Sequence, residues 1–116
     1  MQRWNGKSLK IGELVAETPI VQGGMGIGIS LSGLASAVAN EGGIGVISAA
    51  GIGMDEPDFG KDYISANNRA LRKIIRKARE LTNGIIGVNI MVAARNFDEL
   101  AKSAIEEGID IIFAGA

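Results

Sequence analysis

Residues 96–116 read Asn-Phe-Asp-Glu-Leu-Ala-Lys-Ser-Ala-Ile-Glu-Glu-Gly-Ile-Asp-Ile-Ile-Phe-Ala-Gly-Ala. Phe97, Leu100, Ala101, Ala104 and Ile105 fall at helical spacing and form one apolar stripe. Asn96 and Glu99 have capping-box spacing, with Asn in place of the usual Ser or Thr. Gly108 supplies the stop, and the run that follows is apolar without polar alternation, as in a strand covered on both faces. The same unit occurs earlier in the chain. Leu31, Leu34, Ala35, Val38 and Ala39 map onto the stripe when 66 is added, and Glu41-Gly42 maps onto Glu107-Gly108. Ser30 stands where this earlier helix needs an N-terminal cap, and Gly42 where it needs a left-handed end.

Four apolar runs, at 19–25, 43–50, 85–92 and 109–116, read as strands. A further helix between the second and third carries Leu71, Ile74, Ile75 and Ala78 and ends near Thr82-Asn83-Gly84. The order is β-α-β-α-β-α-β. Two βα units in 66 residues give 33 per unit, close to the roughly 31 of eight units in about 250 residues. A doubly wound open sheet has similar unit lengths, so the repeat establishes βα units without choosing between the two. Sequential strand neighbours would indicate the barrel and a 2-1-3-4 order the open sheet. The connection at 51–68 is long, and long connections at the C-terminal ends of parallel strands are where α/β proteins place ligands.

Composition narrows the function. There is no cysteine and no histidine, which removes disulfides, thiolate nucleophiles and the commonest general base and metal ligand. No metal site is expected. A net charge of −1 gives no general attraction to nucleic acid or to an anionic membrane. No apolar run approaches the ~18 residues of a membrane span, and Met1-Gln2-Arg3-Trp4-Asn5-Gly6 does not lead into a signal peptide. The expected location is cytoplasmic, with neither nucleic acid nor membrane as partner.

Two stretches are candidates for a site. Gln22-Gly23-Gly24-Met25-Gly26-Ile27-Gly28-Ile29-Ser30 places four glycines between a strand and a helix. It lets a flat ligand or a phosphate approach the backbone, or else makes a tight βα turn. It matches neither the dinucleotide fingerprint nor a P-loop. Gly87-Val88-Asn89-Ile90-Met91-Val92 puts an Asn inside an apolar strand. Its amide suits the polar edge of a heterocycle such as a flavin, or bonds a neighbouring backbone. The acidic residues Asp55, Glu56, Asp58 and Asp62 read as solvated loop charge rather than a cation site. Arg69, Arg72, Lys73, Arg76, Lys77 and Arg79 read as the wet face of a helix rather than a nucleic-acid patch.

Taken in order, Pro19-Ile20-Val21-Gln22-Gly23-Gly24-Met25, the stretch from Leu34 to Ile47, and Gly87-Val88-Asn89-Ile90-Met91 resemble the opening of the nitronate monooxygenase family. That family, formerly 2-nitropropane dioxygenase, includes the flavin-type enoyl-acyl-carrier-protein reductases. The resemblance runs from Lys10 to Ala116, with 51–68 longer than is typical. It implies one partial domain over 1–116, the N-terminal half of an FMN-binding (β/α)8 TIM barrel with parallel strands. It implies FMN contacts from Gly23, Gly24, Met25, Asn89 and Gly115. Oxidation of alkyl nitronates with O2 is the expected activity, and reduction of an enoyl thioester the alternative within the family. No catalytic residue is assigned, because the family's catalytic His lies on a later strand. Standing alone, four strands leave an open sheet, so the alternative outside enzymology is a non-catalytic half-barrel that self-associates or needs a complementary C-terminal half.

Overall fold

The computed structural model describes residues 4–116. Met1, Gln2 and Arg3, the start of the N-terminal stretch read above, lie outside the described residues. Strand β1 (Leu9–Ile11) and strand β2 (Leu14–Ala16) form an antiparallel hairpin. There follow helix α1 (Ser32–Asn40), strand β3 (Ile44–Ser48), helix α2 (Tyr63–Leu81), strand β4 (Ile85–Met91), helix α3 (Phe97–Glu106) and strand β5 (Ile111–Gly115).

The last three strands are parallel and lie in the order β3-β4-β5. The run at 19–25 joins them on the far side of β3, but only through one parallel bridge between Val21 and Ile44. It is not a regular strand, and the reason is a side chain. Gln22 Nε2 donates to the Val46 carbonyl (3.0 Å) and Gln22 Oε1 accepts from the Val46 N–H (3.1 Å). The side-chain amide thus takes the ladder position a further main-chain peptide would fill, while the backbone turns away into the glycines. Sequence neighbours are therefore sheet neighbours throughout. This is the barrel order, not that of the doubly wound sheet.

Strand residues alternate between two faces. Ile47, Ile86, Val88 and Ile90 face the helices and pack with Ala35 and Ala39 of α1, Leu71, Ile75 and Ala78 of α2, and Leu100 and Ala104 of α3. The opposite face would line a barrel. Its rows, in register, are Ile44 with Ile85, Val46 with Gly87 and Ile111, and Ser48 with Asn89 and Phe113. At the N-terminal end of this face the hairpin covers it, with Leu9, Ile11 and Ala16 against Ile44, Val46, Ile85 and Phe113. The sequence reading did not include this hairpin.

The repeat seen in the sequence reappears at the helix ends. After α1, Gly42 N–H donates to Ala39 C=O and Gly43 N–H to Val38 C=O. After α3, Gly108 N–H donates to Ile105 C=O and Ile109 N–H to Ala104 C=O. Gly42 and Gly108 have φ of 92° and 76°, the left-handed ends expected of them. The apolar stripes match only in part, for Leu34 and Ile105 turn outward while Ser32, Ser36 and Ser103 are buried. Small residues let these helices sit closer to the sheet than a leucine stripe would.

The expected N-terminal caps fail. Leu31, not Ser30, is the N-cap of α1, and Asn96 caps α3 in position without a side-chain bond. Helix α2 starts earlier than its apolar stripe, at Tyr63, so the irregular connection within 51–68 ends at Asp62. Asp62 Oδ1 accepts from Ser65 N–H (3.1 Å), the N-cap that sets this start. Among the described residues no helix is long and apolar enough to cross a membrane.

Candidate functional site

At the C-terminal edge of the sheet an open cleft of about 460 Å³ is lined by Gly24, Gly26, Ile27, Ser48, Ala50, Asn89 and Met91. Ser48 and Asn89 are register partners on the barrel-lining face, and Met91 follows two residues later on the same face. The glycine loop forms the facing wall. A Cβ on Gly24 would stand 2.8 Å from the Asn89 Cβ, and one on Gly26 would stand 2.9 Å from the Ala50 Cβ. Any larger residue at these positions would fill the cleft or push its walls apart.

Ser30 holds the loop in this shape. It is fully buried, and its hydroxyl accepts from the Met25 N–H (2.9 Å) and from Gln22 Nε2 (3.1 Å). Its own N–H returns to the Met25 carbonyl (2.9 Å), and its carbonyl accepts from the Ser48 N–H (2.9 Å). The loop is thereby closed on itself and fastened to β3. Gln22 and Ser30 are the shaping residues that the sequence reading missed. The available signal was a hydrogen-bonding residue at each end of the glycine run.

The structure brings Gly24 and Asn89 together in the cleft and leaves Gly23, Met25 and Gly115 at its margins. Gly23 and Met25 flank the cleft without lining it. Gly115 pairs in register with Met91 at the end of β5, also outside the lining. The Asn89 side-chain amide makes no hydrogen bond within the described residues, although it is half-buried. A donor and an acceptor therefore face the cleft together, beside a wall of glycine backbone. These features fit a flat group with a polar edge, such as an isoalloxazine ring.

No side chain of the cleft titrates, so these residues can position and polarise a guest but cannot move a proton. Charge gathers instead on the outer, helical side. Arg69 bonds Glu56 (2.6 Å) and Asp58, and Arg76 and Arg72 bond Glu107 (2.5 and 3.1 Å). Hydrogen bonds from Arg69 and then Lys73 hold the Glu56 carboxyl below the ordinary range. Arg76 does the same for Glu107, and the Ser65 amide for Asp62. The basic face of α2 is thus shared between Glu56 and Asp58 of the preceding connection and Glu106, Glu107 and Asp110 at the far end of α3. Among the described residues no group of three or more metal-ligating side chains is arranged to hold an ion.

The sequence profile of the nitronate monooxygenase family matches residues 7–111, nearly the whole chain. The chain belongs to the nitronate monooxygenase family. That is a family of flavin-type oxidoreductases, and the chain has the α/β fold of the N-terminal part of a TIM-barrel protein. FabK from Thermotoga maritima is similar at 35% identity and a TM-score of 0.61, over 82% of this chain and 26% of that one. A point mutant of the same protein is similar at 34% identity and a TM-score of 0.56, over 75% and 25%. The nitronate monooxygenase-family chain thus spans about a quarter of the length of these structures. A search of curated proteins found no match.

Proposed function

We propose that this chain contributes the flavin-facing wall of an FMN-dependent oxidoreductase of the nitronate monooxygenase type. The observation that carries the reading is the pairing of Gly24 with the unbonded Asn89 amide in one cleft at the C-terminal strand ends. Asn89 would hydrogen-bond the polar edge of the flavin, and Gly23 and Gly24 would lie against its face. Met25 and Gly115, exposed at the rim, would shield it from two sides. Bound there, FMN supplies the redox chemistry, and the protein contributes position and polarity. The substrate class is an alkyl nitronate, oxidised with O2. The similarity to FabK favours a second reading within the family, reduction of an enoyl thioester. The chain acts as part of a barrel, with a complementary C-terminal half or a second copy completing the sheet.

FMN titration followed by flavin fluorescence tests the site. Saturable binding is expected, weakened about tenfold in Asn89→Ala, the effect of losing one hydrogen bond worth roughly 1.4 kcal/mol. Gly24→Val, which places side-chain atoms where Asn89 already stands, should remove binding altogether. Equal affinity in all three proteins would refute the site. Oxygen uptake with propyl nitronate, set against nicotinamide oxidation with a crotonyl thioester, separates the two activities.

A further inference from the structure

Beside Asn89 the cleft holds a second polar side chain without a partner. Ser48 is 5% exposed, and its hydroxyl makes no hydrogen bond among the described residues. Its oxygen is nevertheless not sealed. Within the buried and half-buried side chains of the described residues, Asn96 Nδ2 is the single unbonded polar atom that solvent cannot reach. The unbonded Ser48 Oγ therefore keeps accessible surface, and Ser48 lines the cleft. The pleat and the loop opposite fix its direction. Ser48 follows Ile44 and Val46 on the barrel-lining face of β3 and pairs in register with Asn89. A Cβ on Gly26, across the cleft, would stand 3.2 Å from Ser48 Oγ, as one on Gly24 would stand 3.3 Å from the Asn89 side-chain carbonyl carbon. Each of the two polar side chains thus faces a glycine of the loop.

The Ser48 hydroxyl does nothing for the fold. The Ser48 N–H, bonded to the Ser30 carbonyl (2.9 Å), would bond equally well from an alanine. Alanine would also leave no polar atom to satisfy, whereas a buried hydroxyl with no partner is unfavourable. The hydroxyl gains a partner only when a guest is bound. The pyrimidine edge of a flavin presents a carbonyl, an N–H and a second carbonyl in a row. One side-chain amide can meet the N–H and one carbonyl, which leaves the other carbonyl without a donor. Neighbouring strands lie about 4.8 Å apart, so a hydroxyl beside Asn89 on the next strand reaches the same ring edge.

We propose, resting on the flavin reading of this cleft, that Ser48 is a further flavin-binding residue. Its Oγ–H donates to the ring carbonyl that the Asn89 amide leaves free, so that β3 and β4 hold the polar edge together.

The sequence contains no cysteine, so Ser48→Cys places a single thiol at this position. Methyl methanethiosulfonate should modify that thiol in the flavin-free chain, read by intact-protein mass, and saturating FMN should slow the modification at least tenfold. Ser48→Ala should unfold in urea at the parent's midpoint or above it, since no bond within the protein is lost. It should bind FMN about fivefold more weakly, the loss of one hydrogen bond worth about 1 kcal/mol. A merely structural role would lower the midpoint and leave the affinity unchanged. Ser48→Ala binding FMN as tightly as the parent would overturn the role of Ser48 and spare the flavin reading. So would a thiol that is inert in the flavin-free chain, or one that FMN leaves unprotected while the parent binds FMN. A parent chain that binds no FMN would overturn both.

Discussion

Gln22 does at one residue what a strand usually does over several. Its amide meets both polar groups of Val46, a fully buried residue of β3, with one donor and one acceptor. Gln22→Leu keeps the volume and removes both bonds, leaving a buried N–H and C=O unpaired. We expect a loss of about 2–4 kcal/mol, seen as a lower urea midpoint at unchanged slope. A midpoint equal to that of the parent would mean that Val46 finds other partners. Asn89 was legible in the sequence because an amide in an apolar strand must be explained. Gln22 was not, since its role depends on which β3 groups lack a main-chain partner, and that is known only once the backbone has turned away at Gly23. The role of Ser30 is hidden from the sequence for a related reason. A serine ahead of a helix looks like a cap, but this hydroxyl is already committed to Met25 and Gln22.

Among the elements, the contact of α1 with β3 is the closest. A Cβ on Gly45 would lie 1.9 Å from the Ala35 carbonyl oxygen, a main-chain atom that cannot swing aside. Gly45→Ala must therefore lift α1 from the sheet, and we expect destabilisation of about 3 kcal/mol or more. Thermal unfolding of the variant against the parent checks this, and a change below about 1 kcal/mol would contradict the packing described. The strands and the helix ends were legible because apolar runs and terminal glycines are local signals. The start of α2 was not, because Tyr63 to Ala70 includes Asn67, Asn68 and Arg69 ahead of the apolar stripe. What sets the start is the bond from Asp62 to Ser65. The hairpin escaped notice because two strands of three residues give a period-2 pattern too short to separate from chance.

For the molecule as a whole, the ion pairs knit α2 to the connection before it, to the end of α3 and to the start of β5, where Arg79 bonds Asp110 (2.6 Å). Glu56, Asp62 and Glu107 all have folded pKa values lowered by hydrogen bonding. For such groups the added stability is fully present above the unfolded pKa of about 4 and is lost as pH falls through the folded value. Unfolding midpoints should thus hold steady from pH 7 to about 5 and fall below about 4.5. Glu107→Gln should flatten part of that fall. Half-molar salt should shrink the contribution, because Arg69, Lys73 and Arg76 stand at the surface, where their charge is screened. An identical acid slope in the parent and Glu107→Gln would remove Glu107 from the account.

The substitution of a side chain for a strand has one more effect, at the mouth of the molecule. Because Gln22 completes the pairing of β3, the peptide units that follow are not needed by the sheet. The N–H groups of Gly23 and Gly24 and the carbonyl of Gly24 have no partner among the described residues. The fold therefore presents undirected main-chain hydrogen bonds on glycine, where no side chain stands between them and a visitor. Recognition through such groups would tolerate drift in the surrounding side chains. Among descendants of this chain, the glutamine would then be harder to replace than the residues that touch the guest.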